Sequence, residues 1–184
     1  MFLKGPNIQL IPYTSSFWTY LAKWFYDSAY RDMWRHHPKA WGQSEFERYP
    51  QMISGDVFMI IKDTLPIGFI QMIPDCKTNR GFYVGILLDK SCRELHFTHE
   101  AFVILFNYAF NRLGYRKAII EILASKDGFK KGLLNAGFLS EGTQFGEAFI
   151  DGKFVDESRL SLSADYFNKH YKEVAESWDH SINC

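Results

Sequence analysis

Between residues 56 and 89 the chain is a nearly unbroken series of apolar runs: DVFMIIKD (56–63), PIGFIQMIPD (66–75) and GFYVGILLD (81–89). Short runs rich in Ile, Val and Phe, bounded by Asp, Pro and Gly, predict strands. The tight polar turn between the first two makes them a hairpin. The continuous hydrophobicity of the third predicts a central strand buried on both faces. Upstream, NIQLIPY (7–13) alternates apolar and polar residues and predicts a first strand. A helix is predicted over 15–34, with Phe17, Leu21, Trp24, Phe25 and Ala29 at helical spacing after a Ser cap. HHPKAWGQ (36–43) reads as loop, and 44–54 as a short helix with Ser44 and Glu47 in capping-box spacing.

Downstream the period changes again. A long apolar helix is predicted over 97–113, stopped by Gly114. KAIIEILAS (117–125) is a buried strand, and 127–137 a short helix ended by Gly137. Residues 138–163 make two antiparallel strands turning at Asp151–Gly152, and the polar segment beyond them is helical or partly frayed. The order β-α-α-β-β-β-α-β-α-β-β predicts an α/β (α+β) fold, a mixed sheet with helices on both faces. With no repeat and no Pro/Gly/Ser linker, a single domain is expected over 1–166, followed by a polar tail over 167–184.

Composition narrows the class. The 184 residues are enough for one sizeable core, and an apolar share of 47% with 17% aromatic residues excludes disorder. Lys plus Arg equals Asp plus Glu at 21 each, so no global field recruits nucleic acid or a membrane surface. Cys76, Cys92 and Cys184 show no paired spacing and read as reduced thiols. The N-terminal residues lack the pattern of a secretory signal. The longest apolar run, AFVILF, falls far short of the roughly 20 residues that span a bilayer. A cytoplasmic protein is expected, or a virion component if the chain comes from a phage.

The chemistry-bearing positions are few. DKSCRELHFTHEA (89–101) joins the central strand to the long helix and contains no glycine. A strand–turn–helix frame with an arginine suits an anion, held by backbone amides at the helix N-terminus. Glycine is what normally lets the backbone approach. His96, His99 and Glu100 share one helical face but lack both a third ligand and the HExxH order of a metal site. His36 and His37, flanked by Trp34 and Trp41, form either an aromatic-packed loop or part of a pocket. Aromatic residues are dense between 13 and 41, which allows an exposed patch for a protein partner or self-association. Lys126, Lys130 and Lys131 make a small basic edge. Glu121 lies within a buried strand, where a carboxylate is costly unless paired or used.

Several fragments, taken in order, carry a resemblance. PIGFIQMI, GILLDKSCR, YAFNRLGYRKAIIEILASK, LLNAGFLSEG and FIDGKFVDESRLSL resemble successive segments of the GNAT superfamily of acyl-CoA-dependent N-acetyltransferases. Similarity is strongest to the subgroup acting on ribosomal-protein N-termini and its small-molecule relatives. It covers roughly residues 7 to 166. The resemblance implies an acetyl-CoA site with its pyrophosphate turn at 93–98. Arg93 keeps the turn's first position, His96 and Thr98 stand where the family has small residues, and Glu100 and Ala101 match the segment that follows. It also implies a pantetheine arm held by the backbone of Leu87 and Leu88, opened by a bulge at Gly85. Lys126 stands in place of an Asn, and Leu133 in place of the Tyr that protonates the departing thiolate. Glu121 matches a strand carboxylate that relatives use as general base.

Two readings follow. The departures at His96, Thr98, Lys126 and Leu133 point to a divergent GNAT-fold protein that binds acetyl-CoA weakly or not at all. Such a protein would act as a binding, assembly or structural component, including a phage virion component. The alternative is an active N-acetyltransferase modifying an amine of a protein or small molecule, with acetyl-CoA as donor and Glu121 as base.

Overall fold

The computed structural model describes residues 3–30, 40–77, 80–92 and 95–179. Its framework is one sheet of eight strands in the order β1-β2-β3-β4-β5-β6-β8-β7. The strands are β1 (Leu3–Lys4), β2 (Ile8–Pro12), β3 (Asp56–Lys62), β4 (Leu65–Asp75), β5 (Gly81–Leu88), β6 (Lys117–Leu123), β7 (Leu139–Ile150) and β8 (Lys153–Ser163). Every neighbouring pair is antiparallel except β5 with β6, which run parallel because a helix crosses between them. The uniformly apolar β5 lies inside the sheet, as its pattern predicts. Asp151 and Gly152 both take positive φ, 49° and 82°, at the turn between β7 and β8.

Helices cover both faces. On one side lie α4 (Leu95–Phe106) and α5 (Asp127–Asn135), with α6 (Ala164–His170) and α7 (Lys172–Asp179). Their shared core gathers Phe82, Val84, Leu88, Phe102, Phe106, Ile120, Leu160 and Phe167. Phe106 stacks on Phe102 with centroids 5.3 Å apart and meets Phe82 and Phe167 edge-on. The last helical turns before Gly114, Asn107–Arg112, widen to a π-helix, and Gly114 takes φ 72°. Phe167 of α6 is fully buried against Phe106 and Phe110. Gly137, at φ 96°, ends α5 where a Cβ would lie 1.9 Å from the Tyr166 ring, so only glycine lets α6 close over this corner.

On the other face sit α1 (Trp18–Tyr26), α2 (Gln43–Glu47) and α3 (Tyr49–Ile53). A second core forms there from Leu21, Trp24, Trp41, Phe46, Tyr49, Met59, Phe69 and Leu87. The aromatic density of residues 13–41 builds this layer: Phe25 stacks on Trp41 at 4.9 Å, and both meet Phe46 edge-on. Among the described rings of this stretch, Tyr26 is the one left exposed. The predicted helix over 15–34 is cut short at Tyr26, because Asp27 turns extended and its Oδ1 accepts from the Ala29 amide instead. The single helix predicted over 44–54 is two, breaking at Arg48 ahead of Pro50. Its cap also differs: the N-cap is Gly42, whose amide donates to Glu45 Oε2 at 2.7 Å, and Ser44 and Glu47 lie inside the helix. Among the described residues no helix is long and apolar enough to cross a membrane.

Candidate functional site

β5 and β6 are in register only from Gly81↔Lys117 to Tyr83↔Ile119. Past that point β5 follows β4 as far as Leu88, while β6 follows β8 as far as Leu123. Each strand keeps its outer partner and the inner edges part, so the backbone from 84 to 88 and from 120 to 123 faces a wedge. Unpaired N–H and C=O groups along such edges can bind an extended, amide-bearing ligand as an added strand would. Gly85 does not open the wedge by a bulge. The β4–β5 register runs unbroken through Gln71↔Gly85. A Cβ at Gly85 would lie 2.8 Å from Gln71 Nε2, so glycine there makes room for Gln71, which accepts from the Tyr49 hydroxyl at 2.6 Å.

At the apex of the wedge, strand alternation aims Tyr83, Glu121, Arg159 and Ser161 at the α1–α3 face. The Arg159 guanidinium joins them. Its Nη1 donates to the Tyr83 hydroxyl at 3.0 Å and to Glu121 Oε1 at 3.1 Å, and its Nε donates to Glu141 Oε2 at 3.1 Å. It also lies over the Tyr83 ring, 5.3 Å from the centroid. Ser161 donates to Glu141 Oε1 at 2.8 Å, and Lys117 pairs with the same oxygen. Burial works against the charged forms here, and the bonds outweigh it. Lys117, Ser161 and Arg159 hold Glu141 below the usual carboxyl value, while Tyr83, Glu141 and Glu121 hold Arg159 above the usual guanidinium value. Arg159 and Glu121 keep a quarter of their side-chain surface open, at 25% each. Among the described residues the cluster balances Lys117 and Arg159 against Glu121 and Glu141, and it is half-buried and reachable from solvent.

The turn between β5 and α4 is organised from within. Asp89 Oδ2 accepts from Lys23 Nζ at 2.8 Å and from Trp24 Nε1 at 2.9 Å; Oδ1 accepts from the Ser91 amide at 3.1 Å and its hydroxyl at 2.8 Å. Burial opposes this charge, but the Lys23, Trp24 and Ser91 bonds dominate and hold the carboxyl well below the ordinary range. Asp89 thus fixes the start of the turn with a side chain.

The remaining predicted residues scatter. Arg93 lies outside the described residues, as do His36 and His37. His96 stands exposed in the first turn of α4, and Thr98 is half-buried in the same turn. His99 edges onto Tyr171. Glu100 turns inward, 4% exposed, and accepts from the Asn7 and Ile8 amides at 2.8 and 2.9 Å and from Asn7 Nδ2 at 3.0 Å. The described residues include no cluster of metal-ligating side chains. Leu87 and Leu88 bury their side chains in opposite cores, with their backbones on the wedge. Lys126 is exposed at the start of α5, and Leu133 is buried in the main core.

The structure brings Glu121 to the apex beside Tyr83, Glu141 and Arg159, which the sequence did not single out, and sets Asp89 in the turn after β5. A charged Arg inside the alternating strand DESRLSLS, in phase with Ser161, was the legible signal for one of them.

No family model and no curated protein matches the chain. Solved structures do. A spermidine N-acetyltransferase from Vibrio cholerae in complex with CoA and spermine aligns with a TM-score of 0.79 at 16% identity, over 88% of this chain and 99% of that one. A GCN5-related N-acetyltransferase from Brucella melitensis aligns at 0.75 and 17%, over 97% of this chain and 85% of that one. A protein described as a probable acetyltransferase aligns at 0.75 and 16%, over 90% and 98%. The parting parallel strands, the helices on both faces and these alignments agree: the chain has the fold of the GNAT N-acetyltransferase superfamily.

Proposed function

We propose that this protein transfers an acetyl group from acetyl-CoA to an amine. The observation that carries the proposal is the Tyr83–Arg159–Glu121 cluster at the point where β5 and β6 separate. The open backbone of 84–88 and 120–123 fits the amides of a pantetheine arm, with Leu87 and Leu88 among the holding positions. The turn fits the pyrophosphate less well, since it has no glycine to bring its backbone close to an anion. Donor affinity then rests mainly on the arm. Bound there, acetyl-CoA supplies an activated acyl group to the apex. Glu121, held by Arg159 at the apex, takes the proton that the attacking amine must lose.

The comparisons side with this enzyme reading rather than with the non-catalytic binding, assembly or virion role. The latter keeps one supporting observation, the glycine-free turn closed on Asp89. Spermidine is a sensible first acceptor, because one protein of this fold is named for it. Among the described residues the cluster balances two carboxylates against two cations. Calorimetric titration with acetyl-CoA, followed by thiol release with spermidine and a set of peptide N-termini, tests the proposal. Binding at up to about 1 mM is expected, with thiol release lost by about 100-fold or more in Glu121→Gln. No binding by wild-type protein would overturn the proposal in favour of the non-catalytic reading.

A further inference from the structure

Leu133, buried at the place of the family's acid, cannot protonate a thiolate. The geometry points to Tyr83 as the group that does so, with Arg159 as its positioning residue; this rests on the acetyl-transfer reading above.

Three observations converge on the phenol. It is the last residue of β5 that pairs with β6, so its side chain stands at the closed end of the wedge, where an acyl group delivered along the arm must stop. Its oxygen accepts from Arg159 Nη1 at 3.0 Å, and among the described residues its own proton has no acceptor, which leaves that proton available to a ligand atom. The guanidinium lies over the ring and beside the oxygen, so it steadies the anion left when the proton departs. The pairing of Arg159 with Glu121 puts acid and base on one bridging side chain.

The step balances as follows. The amine lone pair forms the N–C bond at the thioester carbonyl carbon. The C–S bond breaks with its electron pair on sulfur, and the Tyr83 hydroxyl gives that sulfur its proton. Glu121 takes the surplus proton from the amine nitrogen. The Tyr83 phenolate, held by Arg159, then regains a proton from Glu121 or solvent, and the site is restored. No oxidant, reductant or metal is needed.

The sulfur contact can be read without turnover. Wild-type protein, Tyr83→Phe and Arg159→Lys are titrated calorimetrically with CoA and with desulfo-CoA. Wild-type protein is expected to prefer CoA by about tenfold. Tyr83→Phe should lose that preference while keeping its affinity for desulfo-CoA, which also shows that the variant is folded. In the acetyl-CoA and spermidine assay, Tyr83→Phe should lower kcat by about 100-fold with little change in KM. With p-nitrothiophenyl acetate, whose thiolate leaves without protonation, the same variant should stay within a few-fold of wild type. An unchanged CoA preference, an unchanged kcat, or an equal loss on both donors would each overturn the role of Tyr83 while leaving acetyl transfer standing. Failure of wild-type protein to bind either CoA or desulfo-CoA would instead bring down the acetyl-transfer reading, and this inference with it.

Discussion

Glu100 shows how much a single carboxylate can hold. It is 4% exposed, and its oxygens satisfy the backbone amides of Asn7 and Ile8 where β2 begins. Gly5 permits this, since a Cβ there would lie 2.4 Å from Glu100 Oε1. Replacing Glu100 by Ala orphans two amides and should cost about 2–4 kcal/mol. For a chain of this length that is a fall in Tm of roughly 5–15 °C, measurable by thermal denaturation. Asp89 makes a prediction of opposite kind, in pH. Its folded carboxyl is held below the ordinary value near 3.9, so its stabilisation is present above that value and is lost as the pH falls through the acid range. Asp89→Asn should therefore be less stable than wild type at neutral pH, with the difference shrinking toward about pH 3. Urea unfolding at the two pH values decides it; a difference that stayed constant would show that the bonds, not the charge, matter.

The turn into α4 and the wedge between β5 and β6 are properties of elements. α4 carries His96 exposed in its first turn, and in the acetyl-transfer reading an imidazole there would keep an anion from the backbone amides. His96→Gly with Thr98→Gly should tighten acetyl-CoA binding by several-fold if the turn alone limits it. The cost would be about 1–2 kcal/mol of stability from two helical glycines. Calorimetry together with thermal denaturation separates the two effects. No gain in affinity would place the limit in the cleft itself rather than in the turn. The wedge depends on strand partners rather than on any one residue. β4 and β8 each carry a neighbouring strand away from the other, and the pairing of β5 with β6 ends as a consequence.

At the scale of the molecule, two cores clamp one sheet. α6 and α7 belong to the larger of them: Phe167 is fully buried against Phe106 and Phe110. Phe167→Ala should cost about 3–5 kcal/mol, seen as a lower urea midpoint. A small effect would mean that α6 only rests on the domain. Order along the chain made most of this architecture legible. The hairpins, the central β5, the glycine stops at 114 and 137 and the Asp151–Gly152 turn all follow from local rules. What local rules missed were competitions: Asp27 against the end of α1, Pro50 against a continuous helix, and the second core that the rings of residues 13–49 form across the sheet.

The sequence by itself determined the fold and one chemical residue. Periodicity and turn chemistry act within a few residues of one another, and Glu121 is conspicuous as a charge in an apolar strand. Only the tertiary structure decided the company Glu121 keeps. Tyr83, Arg159 and Glu141 lie far from it along the chain, on β5, β8 and β7, and hydrogen bonds of about 3 Å between them exist only once those strands share a sheet. The same holds for Gly85, which reads as a bulge along the strand and proves to be room for Gln71 from the next one. Side-chain chemistry is written locally, but proximity across strands is set by the packing of the whole domain.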